Sequence, residues 1–102
     1  MDAVFKALAD PTRRQLLEKL RLRNGQTLLS LCGPIGLSRP AVAKHLKLLE
    51  KAGLIGVQWK GREKWHYLQT GPLFELQDRW LKRFKDPGAM LGEELNRALK
   101  RR

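Results

Sequence analysis

The chain has 102 residues, 42% of them hydrophobic, which fits one compact domain with a modest core. We therefore expect neither a second catalytic domain nor a deep internal pocket. Leu, Val, Ile and Phe recur along the whole chain, which excludes a protein that is disordered throughout. The 21 Lys and Arg residues outnumber the 10 Asp and Glu residues and give a formal net charge of +11. Such an excess favours a polyanionic partner, with nucleic acid ahead of an anionic membrane surface.

The single cysteine, Cys32, cannot form a disulfide within the chain and has no second thiol with which to complete a cysteine-based zinc site. This usage indicates a reducing compartment. The N-terminus lacks a basic stretch followed by a long apolar run, and apolar runs elsewhere are only a few residues long. We therefore expect a soluble, cytoplasmic protein.

Two helices are predicted before residue 24. A short apolar stretch at residues 3–8 precedes Asp10, which suits the N-cap of a helix, and Pro11, which suits its first position. Leucines then recur at helical spacing until Asn24 and Gly25 stop the pattern. The pattern predicts an amphipathic helix of about three to four turns. Its inward-facing residues are Leu16, Leu17 and Leu20.

Two further helices are predicted before Gly53. Thr27 is placed to cap a short helix, Leu28–Cys32, which the glycines and proline of residues 33–36 break. Ser38 is placed to cap the next helix, Arg39–Lys51, and Gly53 suits the left-handed position that ends it. The inward face of this helix carries Val42, Leu46 and Leu49.

The period changes from helical to alternating after Gly53. Apolar residues alternate up to a basic glycine turn, Lys60, Gly61 and Arg62, and alternate again from Trp65 onwards. The pattern predicts a two-stranded β-hairpin with a basic tip. We expect His66, in the second strand, to point to solvent or to phosphate. We expect the three tryptophans to belong to the core rather than to stack on unpaired bases.

A broad apolar stripe begins at Leu73 and continues to Phe84, which predicts one helix that runs up to Asp86. Leu91, Leu95 and Leu99 follow at a spacing of four, so the last residues are either a further amphipathic helix or a frayed basic tail. We divide the chain into a main domain at residues 1–86 and a basic C-terminal tail at residues 87–102. The predicted fold is mainly α with a small β-hairpin, in the order α-α-α-α-β-β-α.

Two helices joined by a glycine-containing turn describe a helix-turn-helix, in which the second helix, residues 38–51, lies in the DNA major groove. The hairpin that follows is then a wing, and residues 60–64 reach phosphates or a narrow minor groove. Seven basic residues and two acidic ones lie between Ser38 and His66, so this stretch contributes +5 to the net charge. Arg39 is the best candidate for bidentate recognition of a guanine. The predicted DNA-binding residues are Ser38, Arg39, Pro40, Ala41, Lys44, His45, Lys47, Lys60, Arg62 and Lys64.

The chain resembles the ArsR family of winged-helix transcriptional repressors over nearly its whole length. The resemblance lies in FKALADPTRR at residues 5–14, KHLKLLEKAGLI at residues 44–55 and the wing sequence GREK at residues 61–64. It implies a homodimer joined through the first and last core helices, with each recognition helix in one half of an inverted-repeat operator. Pro40 and Ala43 stand where relatives often carry small polar residues, so the operator sequence does not carry over.

The apolar stripe near the C-terminus is a reason to predict a dimer that does not depend on the resemblance. So much apolar area at the end of a small domain usually needs a partner surface. The alternative is that the stripe simply covers the core of its own protomer. The predicted dimer-interface residues are Val4, Phe5, Leu8, Leu73, Phe74, Leu76, Trp80, Leu81 and Phe84.

Many members of the resembled family sense metals, but the matching positions here lack a ligand set. Cys32 has no second cysteine, and Glu75 and Asp78 have no histidine beside them. We therefore expect no metal, no cofactor, no small-molecule ligand and no enzymatic activity. The first hypothesis is a dimeric repressor, and the alternatives are a winged-helix protein-interaction module and a repressor that responds to oxidation of Cys32.

Overall fold

The computed structural model describes residues 1–33 and 35–85, and the predicted order of four helices, a hairpin and a fifth helix is confirmed. The predicted tail at residues 87–102 lies outside the described residues. The elements are α1 (Asp2–Leu8), α2 (Pro11–Leu22), β1 (Gln26–Thr27), α3 (Leu28–Cys32), α4 (Arg39–Lys51), β2 (Ile55–Lys60), β3 (Glu63–Leu68) and α5 (Gly71–Arg79), followed by a 3₁₀ helix (Leu81–Lys85).

All three predicted N-caps are present. The backbone N–H of Arg13 donates to Asp10 Oδ2 at 3.0 Å, and Pro11 occupies the first turn of α2. The N–H of Ser30 donates to Thr27 Oγ1, and that of Ala41 donates to Ser38 Oγ, both at 3.3 Å. Each cap satisfies a backbone donor that the first turn of a helix leaves without a partner, so the start of each helix is determined locally.

The core lies where α2, α4 and the sheet meet. α4 contributes the three residues predicted from its spacing, and α2 contributes Leu16, Leu17 and Leu20. Burial of such side chains contributes roughly 1.5–3 kcal/mol each, and this fixes the orientation of α4 relative to the rest of the domain. The buried apolar residues are Val4, Ala7, Leu16, Leu17, Leu20, Leu31, Val42, Leu46, Leu49, Leu54, Ile55 and Leu76.

The sheet has three antiparallel strands in the order β1-β3-β2, whereas the sequence pattern predicts two strands. The missed strand, β1, is two residues long, too short to show an alternating pattern. It pairs Gln26 with His66 and Thr27 with Trp65. The predicted hairpin is confirmed, with Lys60 opposite Glu63 and with Gly61 at a φ of +62° in the turn.

The expectation that His66 points to solvent or phosphate is wrong. Its side chain is 3% exposed, and Nδ1–H donates to the carbonyl oxygen of Gln26 at 3.0 Å. Gln26 is also buried, and its amide donates to the carbonyls of Lys19 and Arg23 near the end of α2. The unpredicted pairing of β1 with β3 therefore encloses His66 and connects the wing to α2.

The prediction of one continuous helix from Leu73 to Phe84 is also wrong. α5 ends at Arg79, and the chain tightens into a 3₁₀ helix from Leu81. Trp80 stands at the junction, where its ring contacts the ring of Phe5 edge-on with centroids 5.0 Å apart. The apolar stripe continues through this junction, so spacing alone did not reveal where the α-helix ends.

Candidate nucleic-acid interface

The outward side of α4 is a cationic surface. Val42, Leu46 and Leu49 hold the opposite side in the core, so the long basic residues of the helix project into solvent. Pro40 and Ser38 are exposed at the start of the helix, and the Ser38 hydroxyl accepts the capping hydrogen bond described above. The cationic face, as we call it, consists of the four exposed basic residues Arg39, Lys44, Lys47 and Lys51.

His45 lies on a different side of α4, the flank that faces α2, and is half-buried. Ala41, in the first turn of α4, is also half-buried. The Nδ1 atom of His45 lies 3.2 Å from a terminal nitrogen of Arg13 in α2 and 3.8 Å from Asp10 Oδ2. His45 is one of the predicted DNA-binding residues, whereas Arg13 is not. These two residues are 32 positions apart, and no local spacing pattern connects them.

The three basic residues of the wing have different environments. Arg62 is exposed in the turn beside Gly61. Lys60 extends over the outer side of the hairpin, with Nζ 4.6 Å from the centroid of the Trp65 ring, a distance suited to a cation–π contact. Lys64 is half-buried, and its Nζ lies 3.4 Å from Glu50 Oε2 at the end of α4.

The tryptophans depart from the expectation that they belong to the core. Trp65 is half-buried, whereas Trp59 is 63% exposed and Trp80 is 38% exposed. Trp59 pairs with Lys64 across the hairpin, beyond the point where the sheet covers the core. Regular spacing at hairpin and helix positions was the signal that suggested burial, but spacing does not show where the hairpin extends past the core.

The nine residues predicted at a dimer interface fall into two groups. Val4 and Leu76 are buried in the core of the single chain, and Phe5, Leu8 and Leu73 are half-buried against it. The others are exposed on α5 and the 3₁₀ helix: Phe74, Trp80, Leu81 and Phe84. Trp80 contacts both Phe5 and Phe84 edge-on, with centroids 5.0 and 4.9 Å apart. We call these three contacting residues, together with Phe74, which is exposed separately on α5, the aromatic face.

Within residues 1–33 and 35–85, no three His, Cys, Asp or Glu side chains come together as a metal ion would require. Cys32 is a free, half-buried thiol that packs against the core. In the same part of the chain, every helix is too short or too polar to cross a membrane.

A capped helix with a basic outer face, preceded by a short helix and followed by a two-stranded wing, defines a winged helix-turn-helix DNA-binding protein. Residues 8–58 match the family model described as a helix-turn-helix domain. The chain is 40% identical to the uncharacterized HTH-type transcriptional regulator YuzN of Bacillus subtilis, over 78% of this chain and 94% of that protein. It is 33% identical to the transcriptional repressor SdpR of the same organism, over 86% of this chain and 96% of that protein.

Solved structures give the same result. The fold matches that of an ArsR family transcriptional regulator with a TM-score of 0.73 and 33% identity, over 82% of this chain and 84% of that one. It matches an ArsR-like transcriptional regulator from Rhodococcus sp. RHA1 with a TM-score of 0.69 and 34% identity, over 97% and 85% of the two chains. The chain belongs to the ArsR family of winged helix-turn-helix transcriptional regulators.

Proposed function

We propose that the protein is a homodimeric repressor that binds an inverted-repeat operator, with α4 of each protomer in the major groove. The cationic face of α4 supports this proposal, because four basic side chains project from a helix whose other side is fixed in the core. Such a helix enters the major groove without reorganisation of the domain. The similarity to a named repressor supports repression, which the dimer would exert by competing with RNA polymerase at a promoter.

We assign the DNA contacts of α4 by position along the helix, with base contacts in the first turn and phosphate contacts further along. Arg39 lies in the first turn of α4, the part of a recognition helix that reaches base edges, and its guanidinium suits the two acceptors of a guanine. Pro40 and Ala41 offer apolar contacts to thymine methyl groups. Lys44 and Lys47 lie one to two turns further along and contact phosphates, which positions the helix without reading sequence.

The wing contributes through its turn. Arg62 is the basic residue of the tip, so we assign to it the contact with the backbone or minor groove. Lys60 lies over aromatic rings and adds positive charge along the outer side of the wing. Lys64 is paired with Glu50, so we assign it the role of holding the wing against α4.

The aromatic face supports the homodimer. Phe74 and Phe84 are 64% and 61% exposed, although α5 is otherwise anchored by the buried Leu76. Exposed aromatic clusters of this kind are typical of protein–protein interfaces. In a dimer joined through α1 and α5, a twofold axis relates the two copies of α4, and an inverted repeat has the same symmetry.

The experiment that tests this function is selection of bound fragments from genomic DNA with the purified protein. We expect fragments that share an inverted repeat, with half-site centres about 10 bp or a multiple of that apart. Binding should weaken steeply with salt, because each phosphate contact adds ~0.9 to the slope of log affinity against log salt concentration. Failure to retain any DNA at low salt would contradict the proposal and favour a protein-interaction module.

A further inference from the structure

Arg13 connects three parts of the domain. Its Nε–H donates to the carbonyl oxygen of Ala7 at 2.8 Å, and one terminal nitrogen donates to that of Lys6 at 2.9 Å, so it binds the C-terminal end of α1. Its other terminal nitrogen lies 3.2 Å from Nδ1 of His45 on α4. The guanidinium is thereby held in place by the backbone of α1 while it contacts the proposed recognition helix.

The chemistry of this contact assigns the tautomer of His45. A guanidinium donates hydrogen bonds and never accepts them, so Nδ1 of His45 must be the acceptor. A neutral imidazole that accepts at Nδ1 carries its hydrogen on Nε2. The Oδ2 atom of Asp10 lies 3.8 Å from Nδ1 of His45, which is beyond hydrogen-bond distance, whereas the guanidinium nitrogen of Arg13 is within it.

The Nε2–H group of His45 is therefore available to donate a hydrogen bond. The His45 side chain is 23% exposed, and within residues 1–33 and 35–85 no acceptor is hydrogen-bonded to Nε2. His45 lies on the flank of α4 rather than at the centre of the cationic face, and the walls on either side of a helix in the major groove are phosphate backbones.

We infer that Arg13 is a positioning residue for DNA binding, which holds His45 as the Nε2–H tautomer so that this group donates to a phosphate oxygen of the operator. The inference rests on the proposed function for the phosphate contact, but the tautomer is a property of the free protein. Since phosphates carry no sequence information, Arg13 and His45 contribute equally to operator and random DNA.

The first test is nitrogen NMR of the free protein. The chain has only two histidines, and the structure gives them opposite tautomers, since His66 donates through Nδ1. We expect a protonated Nε2 on His45 and a protonated Nδ1 on His66. In Arg13→Gln the His45 signals should move towards the Nδ1–H form, because Asp10 is then the remaining polar neighbour, while the His66 signals stay unchanged and report an intact fold.

Arg14→Gln is the matched control for this test. Arg14 is the next residue in α2, and it also donates to a carbonyl of α1, that of Leu8 at 2.7 Å, but it is not hydrogen-bonded to His45. The control should leave both histidines as they are in the wild type. A protonated Nδ1 on His45 in the wild type, or an unchanged tautomer in Arg13→Gln, would overturn the inference.

The second test is a double-mutant cycle on DNA affinity. We expect His45→Ala and Arg13→Gln each to raise Kd roughly 3- to 10-fold on operator and random DNA alike, the scale of one hydrogen bond. The double variant should bind DNA with about the same Kd as the single variant that binds less tightly. Additive losses would mean that Arg13 acts independently of His45 and would contradict the inference. If the wild type binds no DNA, the proposed function fails, and the tautomer measurement still decides the geometry.

Discussion

The cationic face of α4 and the aromatic face near α5 are both exposed, but they are supported differently. α4 has a side-chain cap at Ser38 and three buried residues behind it. α5 has no side-chain cap and one buried residue, Leu76, and it gives way to a 3₁₀ helix. Basic side chains are well solvated on a rigid helix without a partner, whereas exposed aromatic rings are not. The first surface is therefore complete in one protomer, and we expect the second to be completed by another copy.

Phe74→Glu should have the largest effect among these variants, and it should act on the aromatic face without changing the cationic face. A charge in the middle of an apolar interface is expected to cost about 2–4 kcal/mol of dimer stability, and sedimentation equilibrium would measure it. Affinity for an isolated half-site should stay as in the wild type, because the cationic face is untouched. Leu22→Glu is the control, since Leu22 is 71% exposed at the end of α2, outside the aromatic face. Equal loss of dimer in both variants would remove the aromatic face as the interface.

Arg39→Ala should lower the affinity for the selected operator by ~1–3 kcal/mol, and for random DNA by much less, because a guanine contact is specific to one sequence. Competition titrations with both DNAs would measure the difference. Arg21→Ala removes the same charge from α2, where the residue is paired with Glu18 on an exposed surface, and should change neither affinity. If Arg39→Ala weakens both DNAs equally, Arg39 contacts phosphate and not a base.

Acid should lower the stability of the domain that carries the cationic face, through His66, which joins β3 to β1. Burial lowers the pKa of His66 below its ordinary value of 6.5, although the hydrogen bond to the Gln26 carbonyl and the Glu50 charge act in the opposite direction. His66 in the unfolded chain therefore takes up a proton near pH 6.5, while His66 in the folded protein stays neutral at that pH. The free energy of unfolding is fully retained above that pH and falls as the pH drops through it, by at most about 1.4 kcal/mol per pH unit for one proton.

Denaturant unfolding between pH 5 and pH 8, at one protein concentration, would measure this slope. His66→Asn places an amide nitrogen near the position of Nδ1, so it can still donate to Gln26 but cannot titrate in this range. Its unfolding free energy should vary less with pH than that of the wild type. An identical slope in the two proteins would show that His66 does not carry the effect.

Arg62→Ala and Lys64→Ala should have the smallest effects on DNA binding among these variants. Loss of Arg62 should weaken binding to all DNA sequences and lower the salt slope by ~0.9, the value for one phosphate contact. Loss of Lys64 should leave the salt slope unchanged, because Lys64 is paired with Glu50 and holds the wing to α4. Filter-binding isotherms over a range of salt would measure both slopes. A reduced slope for Lys64→Ala would place that lysine on the DNA backbone instead.

The predictions that succeeded rest on interactions close in sequence. Asp10, Thr27 and Ser38 each cap a helix through a backbone N–H three residues away. The inward residues of α4 follow from its spacing, and the hairpin turn follows from Gly61 between two alternating runs. Such patterns determine an element before the rest of the chain is folded around it, so they can be found by inspection.

The expectations that failed depended on residues distant in sequence. His66 is buried because β1 pairs with β3, forty residues further along. Trp59 is exposed because the hairpin extends past the core, and α5 ends where Trp80 meets Phe5. The contact of Arg13 with His45 belongs to the same class, since it joins α2 to α4 across the domain.

The sequence by itself determined the order of the elements, the three helix starts, the inner face of α4 and the concentration of +5 of the net charge between Ser38 and His66. Tertiary structure decided which basic residues are free and which are paired, and which histidine is buried in the sheet and which lies beside the proposed DNA surface. The reason is that caps and periodicity act within a few residues, whereas burial and hydrogen-bond partners depend on how separate elements pack together.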